Sequence, residues 1–405
     1  MGNRPAMRRG ACAMAAGIRL AGLLLGGLLL ASQPLATGTA ADPIKIGTVF
    51  NTTGGQAILD LPAKHGAQLA IGQINAGGGV RGRPLEWVAV DGNSVPLDLA
   101  AQTGQALSDD PGIVAFLGLS DTDNVLAAAP VAAAASRVFL TSGATSPLLP
   151  GQVPTWLFLA CFGDNVQAAA GAEWAYRQLK ARRVAIFYEP NESYTTLLQR
   201  YFAERFTALG GRIVATKQVF PGAAIPHLPR TDVLASGNID LLFLSVQTAQ
   251  DAVRMVPLIR RAGYRGPILG GDGYDAEAVW AKHPDIAETY FTTHVYLAPD
   301  NPNPKVSAFL KAYAAAHPGE DPGAFGALGF DAAGLVAAAM SRAGATDPGG
   351  VLEGLTGLEG YQGVTGTISF PGESRIPLKS VTILKVDKGR QAFVDQVLPT
   401  SVPKP

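Results

Sequence analysis

The chain has 405 residues, 47% of them hydrophobic, which is enough for about two to three domains with sizeable cores. Its 32 basic and 32 acidic residues balance. This balance argues against a nucleic-acid partner, because neutralising phosphates requires a clustered basic surface.

The first 40 residues differ from the rest of the chain in composition. They hold four arginines and no carboxylate, then the apolar run Leu20–Ala31, then small residues up to Ala40. This order is typical of a secretory signal peptide cut near Ala40, and twelve apolar residues are too few for a membrane span of about 20. Without residues 1–40 the chain has 28 basic and 32 acidic residues. We therefore expect a mildly acidic exported protein, by either the Sec or the twin-arginine route.

From residue 44 onward, short apolar runs alternate with stretches of helical period. The runs predict buried strands at Ile44–Phe50, Leu85–Asp91, Ile113–Leu119 and Val138–Ser142. Between them, one helix is predicted to end at the glycine-rich turn 77–82, and Asn124–Ala135 is predicted as an alanine-rich helix. Strands that alternate with helices predict a doubly wound, mostly parallel sheet.

A second series of the same kind follows the Pro- and Gly-marked stretch 147–154. Its predicted strands are Val184–Tyr188, Arg212–Val219, Asp240–Ser245 and Pro267–Gly270. A helix at about Ala249–Ala262 contains Pro257, which should kink it or mark a boundary. After a helix around Phe325–Ala343, the stretches Gly363–Phe370 and Lys379–Asp387 are predicted as late strands that return to lobes already built. The two series predict two α/β lobes.

The motifs of common enzymes on such folds are missing from the sequence. There is no Gly-x-Ser-x-Gly elbow and no phosphate loop, and the glycine cluster 77–82 follows a helix, the wrong order for a dinucleotide site. Cys161 is the single cysteine beyond the leader, and the five histidines form no i, i+4 pair. We therefore expect no catalytic residues, no cofactor and no metal.

Several segments in colinear order resemble the extracytoplasmic receptors that bind leucine, isoleucine and valine for ABC transporters. The segments are Ile44–Gly55, Gly66–Arg83, Thr141–Pro147, Asp164–Gln167, the Gly-Gly-Asp-Gly run 270–273 and Phe330–Ala332. The resemblance implies the type I periplasmic binding protein fold, in which two doubly wound lobes are joined by a three-segment hinge. Lobe 1 would take 42–162 plus 296–377, and lobe 2 would take 163–295 plus 378–398.

The resemblance also implies a role in transport. The protein would be a periplasmic monomer that closes on a small solute in the cleft and presents it to the permease and ATPase subunits of an ABC transporter. Two alternatives stay open. In the first, the same two-lobed trap reports to a signalling receptor; in the second, the chain is an exported α/β enzyme. Gene neighbours that encode a permease would favour transport over sensing.

On lobe 1, two loops that follow strands are candidates for holding the ligand. Ligands in such sheets lie beyond the carboxyl ends of the strands, where loops carry free backbone donors. In loop 141–147 the resemblance implies ligand contacts at Gly143, Ala144 and Thr145. After the preceding strand it places a carboxylate-binding hydroxyl at Thr122. Asp121 departs from the family pattern, so it should face solvent, cap the next helix or serve a different head group.

On lobe 2, Asp272 matches the family residue that pairs with the ligand's α-ammonium. A buried carboxylate is costly unless it is paired, which would select a cationic group at this position. Tyr194 lies near a ligand-contacting tyrosine of the family, while two further aromatic contact positions fall on Leu59 and Thr248. These replacements change the pocket, so an amide, another amino acid or a small carboxylate stays open beside a branched-chain amino acid.

Overall fold

The computed structural model describes residues 41–224, 226, 228 and 232–405. The predicted signal peptide lies outside these residues. The described chain belongs to one unit that contains two main sheets and one small hairpin.

The first sheet has five parallel strands in the order β2-β1-β3-β4-β5. Its strands are β1 (Ile44–Val49), β2 (Leu85–Val90), β3 (Ile113–Gly118), β4 (Val138–Thr141) and β5 (Leu157–Leu159). The helices between them are α1 (Ala57–Ala76), α2 (Pro96–Asp109), α3 (Thr122–Ala134) and the short α4 (Leu149–Gln152). Helices cover the sheet, so β1, β3 and β4 are almost wholly buried and apolar, as in other parallel sheets.

The second sheet has seven strands in the order β14-β13-β10-β9-β8-β6-β7. Its elements up to β10 are α5 (Asp164–Arg177), β6 (Arg183–Tyr188), α6 (Ser193–Ala208), β7 (Arg212–Gln218), β8 (Leu241–Ser245), α7 (Ala249–Arg261), β9 (Ile268–Gly270), a 3-10 turn (Asp272–Tyr274), α8 (Glu277–Trp280) and β10 (Thr289–Thr293). The chain then forms α9 (Pro304–Ala316), α10 (Gly323–Ala343), α11 (Pro348–Leu355), β11 (Tyr361–Gly363), β12 (Gly366–Ile368), β13 (Val381–Asp387) and β14 (Arg390–Val397). Strands β13 and β14 add antiparallel to the edge of this sheet.

The eight strands predicted for the two series are confirmed to within about two residues at each end, and the doubly wound fold is confirmed with them. The stretch Gly363–Phe370 was wrongly predicted as one strand, because Gly366 adopts φ 97 and turns the chain into the separate hairpin β11–β12. Helix α7 runs through Pro257 without a break. The glycine-rich segment is a turn as predicted, closed by the bridge between Val80 and Arg83.

The chain passes three times between the parts that carry the two sheets, at 160–163, 294–303 and 371–380. Lys379 is buried in the third passage and donates to the carbonyl oxygen of Ala160 (3.4 Å) in the first and to Thr365 Oγ1 (2.5 Å). Burial lowers the pKa of Lys379 to about 8, although nearby Asp331 opposes that shift. Asp331 in turn accepts hydrogen bonds from the backbone of Val364 and Thr365, both at 2.8 Å. These contacts join two of the three passages.

Helix α10 is the one described helix that is long and apolar enough to cross a membrane by length and composition. It is instead a core helix, since most of it is buried and it packs against α1. The two backbones approach so closely that a Cβ on Gly66 would lie 1.9 Å from the carbonyl oxygen of Gly326. This contact requires glycine and fixes α1 firmly against the start of α10.

Candidate functional site

A small cavity lies where the carboxyl ends of the two sheets face each other. Ten residues from both sides line it: Leu59, Ser120, Thr122, Gly143, Thr145, Tyr194, Gln247, Asp272, Gly273 and Phe325. About 10 Å³ of it is open to the centre of a water molecule, which is room for roughly one water. The two walls are therefore drawn together in this structure.

The wall from the first sheet is built on tight backbone contacts. Gly118 ends β3 at φ 131, and a Cβ there would lie 1.9 Å from the carbonyl oxygen of Val49. The loop after β4 is held by Thr141, whose Oγ1 donates to the carbonyl oxygen of Leu119 (2.8 Å) and accepts from the backbone N–H of Ala144 (3.1 Å). These bonds fix the loop so that Gly143 and Thr145 face the cavity.

Three buried polar atoms of the lining residues have no hydrogen-bond partner within the described part of the chain. They are Ser120 Oγ and Thr122 Oγ1 on the first wall and Gln247 Oε1 on the second. A buried hydroxyl or amide left unpaired costs about 1–3 kcal/mol. The cavity therefore offers unused hydrogen-bonding capacity on both sides.

Asp121 does not line the cavity and caps helix α3. Its Oδ1 accepts from the backbone N–H of Asn124 (3.0 Å), and its Oδ2 accepts from Gln247 Nε2 across the cleft (2.8 Å). Burial raises the pKa of Asp121 to about 6, although these hydrogen bonds oppose the shift. Of the roles expected for this departure from the family pattern, the structure places the side chain as a cap.

Asp272 lies on the second wall at the centre of a buried hydrogen-bond network. Its Oδ1 accepts from Tyr194 Oη (2.8 Å) and Gln167 Nε2 (3.0 Å), and its Oδ2 lies 2.8 Å from His294 Nε2. Gly271 makes room for the tyrosine, because a Cβ there would lie 2.1 Å from its hydroxyl oxygen. The carboxylate is thereby held rigidly against the cavity.

Two residues beside this network have shifted pKa values because they are buried. Burial, together with the nearby Asp272, raises the pKa of Asp164 to about 8, so Asp164 is mostly protonated at neutral pH. Burial lowers the pKa of His294, whose ring stacks on Phe162 at 3.8 Å, although the nearby Asp272 opposes this shift. A neutral His294 protonated at Nε2 can donate to Asp272. In that state, Asp272 has hydrogen-bond donors around it but no fully charged cation.

The structure brings together five of the eight predicted site residues: Thr122, Gly143, Thr145, Tyr194 and Asp272 line the cavity. Asp121, Ala144 and Thr248 do not line it. The N–H of Ala144 is used by Thr141 inside its own loop. Thr248 forms a capping box at the start of α7, since its Oγ1 accepts from the N–H of Asp251 (3.3 Å) and its own N–H donates to Asp251 Oδ2 (3.1 Å).

Four lining residues were not predicted from the sequence: Ser120, Gln247, Gly273 and Phe325. Leu59 was noted only as a position where the family has an aromatic residue. Gln247 carried a usable signal, because it follows strand β8 at the carboxyl edge where ligands bind. No feature of the sequence indicated Phe325, because it reaches the cavity from the first turn of α10, a helix that follows the second passage of the chain.

Comparison with known proteins gives consistent matches. A family model described as periplasmic binding protein matches residues 43–391. The Leu/Ile/Val-binding protein homolog 3 of Brucella melitensis is 25% identical over 88% of this chain and 94% of that protein.

Solved structures match over a similar length. The branched-chain amino acid transporter substrate binding protein LivJ from Streptococcus pneumoniae, in complex with isoleucine, has a TM-score of 0.79 at 26% identity, covering 88% of this chain and 100% of that chain. The leucine binding protein LivK from Thermotoga maritima has a TM-score of 0.77 at 27% identity, covering 88% and 99%.

Proposed function

Because the chain belongs to the periplasmic binding protein family, we propose that it is the solute-binding component of an ABC transporter. It captures an amine-bearing small solute, an amino acid or a related amide, between its two lobes and delivers it to a membrane permease. The observation that carries this proposal is the cavity itself, in which a carboxylate from one sheet faces hydroxyl groups from the other.

The charges at the cavity favour an amine on the ligand. Asp272 lines the cavity, and no Lys or Arg is among the residues that line it. Burying a carboxylate beside Asp272 without a cation would be costly, whereas an ammonium group gains a charged partner. Related proteins are named for binding branched-chain amino acids such as isoleucine, and each of these amino acids carries an amine. This supports an amine-bearing ligand for the present chain.

The opposite end of the ligand meets neutral donors and acceptors. Thr122 begins helix α3, whose N-terminus would favour a negative group. Asp121 already occupies this terminus with its own carboxylate, which is largely ionised at pH 7 given a pKa of about 6. A ligand carboxylate at Thr122 therefore competes with a like charge, and an amide does not. We infer that amides bind at least as well as the matching free acids.

Ligand entry requires the two lobes to separate. The space in the cavity is far below the volume of an amino acid. Hydrogen bonds at three places join the two lobes. Asp121 accepts from Gln247, Asp123 accepts from Ser193 through Oγ (2.5 Å) and N–H (3.2 Å), and Asp321 accepts from the N–H of Ala278 (3.1 Å). We propose that lobe 1 (42–162 plus 296–377) and lobe 2 (163–295 plus 378–398) open about the three passages and close on the ligand.

Export completes the proposed role. Residues 1–40 have the composition of a signal peptide, and the family is periplasmic by description. Mass spectrometry of the protein recovered from the periplasm of an expressing bacterium should give a mature chain that begins near residue 41. Recovery of the full-length chain in the cytosolic fraction would contradict export.

The ligand proposal is tested by thermal denaturation with a panel of amino acids, their amides and small carboxylic acids. A ligand that binds only the folded state raises the melting temperature. We expect the largest shifts from amine-bearing compounds and none from benzoate or other amine-free acids. A response to amine-free acids alone would overturn the proposed class.

The role of Asp272 is tested with a matched pair of isosteric variants. Asp272→Asn should weaken an amine-bearing ligand by about 30-fold or more, because losing one partner of a buried charge pair costs about 2–5 kcal/mol. Asp164→Asn is the control, since Asp164 belongs to the same network but does not line the cavity and is already mostly neutral. Equal affinities of the two variants, measured by calorimetry, would refute the pairing.

A further inference from the structure

Apart from the cavity described above, two histidines and a glutamate converge on one surface of the first lobe. We propose that His65, His317 and Glu320 form a site for a divalent first-row transition metal such as Zn²⁺. The donor atoms of the three side chains all lie within 4.8 Å of one another. This site does not depend on the proposed transport role.

The distances fit a metal site after small side-chain movements. His65 Nδ1 lies 2.8 Å from Glu320 Oε2, and His317 Nδ1 lies 4.0 Å from the same oxygen. A tetrahedral zinc with bonds of about 2.0–2.2 Å holds its ligand atoms about 3.3 Å apart, between these two values. The imidazole rings are stacked at 4.0 Å and nearly parallel, so they must tilt towards each other to direct both nitrogens at one ion.

The three side chains come from positions that the fold holds firmly. His65 lies on α1 beside Gly66, at the close contact with α10 described above. His317 caps the end of α9, and its N–H donates to the carbonyl oxygen of Tyr313 (2.8 Å). Gly319, at φ 82, then turns the chain so that Glu320 comes back over the histidines. The three side chains therefore lose little conformational freedom when a metal ion binds, which favours affinity.

The chemistry of the donor set suits borderline cations. Two imidazole nitrogens with one carboxylate oxygen match Zn²⁺, Co²⁺, Ni²⁺ or Cu²⁺ better than Ca²⁺ or Mg²⁺, which prefer oxygen ligands. The side chains of His65, His317 and Glu320 are 16%, 21% and 49% exposed, so an ion can reach them from solvent and keep one or two waters.

The test is calorimetric titration of Zn²⁺ into the untagged protein, because an oligohistidine tag would bind the metal itself. We expect one equivalent to bind, and His65→Ala and His317→Ala each to weaken binding at least tenfold, since changing even a residue that only hydrogen-bonds to a metal ligand costs about 10–100-fold. His283→Ala is the matched control, because His283 is a partly exposed histidine elsewhere on the chain. It should leave the titration unchanged.

Two measurements keep the test decisive if a histidine variant folds poorly. Glu320→Gln changes a half-exposed side chain and should weaken Zn²⁺ while the circular dichroism spectrum stays the same. In the wild-type protein, Zn²⁺ should slow the modification of His65 and His317 by diethyl pyrocarbonate, measured by peptide mass spectrometry, and leave His283 unaffected. The proposal would be overturned if Zn²⁺ did not bind. It would also be overturned if Zn²⁺ bound equally well to these variants and did not protect His65 and His317.

Discussion

Replacing Thr122 with valine removes a hydroxyl that the protein itself does not use. Thr122 is 2% exposed, and its Oγ1 has no hydrogen-bond partner within the described residues. Valine has nearly the same shape, so the change should leave packing intact. Because an unpaired buried hydroxyl costs about 1–3 kcal/mol, the free energy of unfolding of the ligand-free variant should stay equal or rise by about 1 kcal/mol.

The same substitution should weaken ligand binding by an amount that identifies the head group. A hydrogen bond to a neutral carbonyl contributes about 0.5–1.5 kcal/mol, and one to a carboxylate about 1.5–3 kcal/mol. Thr122→Val should therefore raise the Kd about 2- to 10-fold for an amide and about 10- to 100-fold for a free acid. Isothermal titration with the panel compound that gives the largest thermal shift measures this factor.

Thr103→Val is the matched control for both measurements. Thr103 is also fully buried on the first lobe, but its Oγ1 donates to the carbonyl oxygen of Leu99 at 2.7 Å within α2. This variant should lose about 0.5–1.5 kcal/mol of stability in urea unfolding and keep its affinity. If Thr122→Val instead destabilises the protein as much as Thr103→Val and leaves the Kd unchanged, the hydroxyl is structural and the reasoning fails.

Three further outcomes are expected. Asp121→Asn should keep the cap and gain on the order of 1–3 kcal/mol of stability at pH 7, because burial raises the pKa of Asp121 to about 6 and so disfavours its charged form. In urea unfolding, this gain should vanish below about pH 4, where the carboxyl group is protonated in both states. A gain that persists below this pH would contradict this explanation. Burial would raise the pKa of Glu173, but hydrogen bonds from Arg205 hold this pKa below its usual range. The pair therefore stabilises the fold above about pH 4.5, and this contribution is lost on acidification. Glu173→Gln should cost about 3–5 kcal/mol at pH 7 and make the free energy of unfolding less dependent on pH in the acid range. Asp123→Ala should lower ligand affinity by removing the bonds to Ser193 that bridge the cleft, and small-angle scattering should show less contraction on adding ligand than in the wild type; equal contraction would exclude this contact as a closing bond.

The strands that could be predicted from the sequence are those with continuous apolar runs. Strands β1, β3 and β8 are buried on both faces and contain almost only apolar residues, so hydrophobicity alone marks them. Strand β10 (Thr289–Thr293) was missed because three of its five buried residues are threonines. The partners that satisfy two of these hydroxyls, Gln167 for Thr292 and Asp275 for Thr293, come from other parts of the fold.

The site could be predicted only where residues follow strands directly. Thr122, Thr145 and Asp272 lie at or just beyond strand ends, so strand positions and the family resemblance together located them. Whether a nearby polar residue faces the ligand or caps a helix depends on backbone direction, which is why Asp121 and Thr248 needed the structure. The histidine cluster shows the same limit: His65 and Glu320 are 255 positions apart, so no local spacing indicates their contact.

The buried ammonium group of Lys379 has a consequence for how such a molecule can bend. It holds the carbonyl oxygen of Ala160 and the hydroxyl of Thr365, so it links the first passage to the residues that precede the third. A motion that pulled these segments apart would break the hydrogen bonds of a buried ammonium group, at a cost of several kcal/mol. In the proposed opening, the axis should therefore run close to Lys379, and the cleft should widen with distance from this residue.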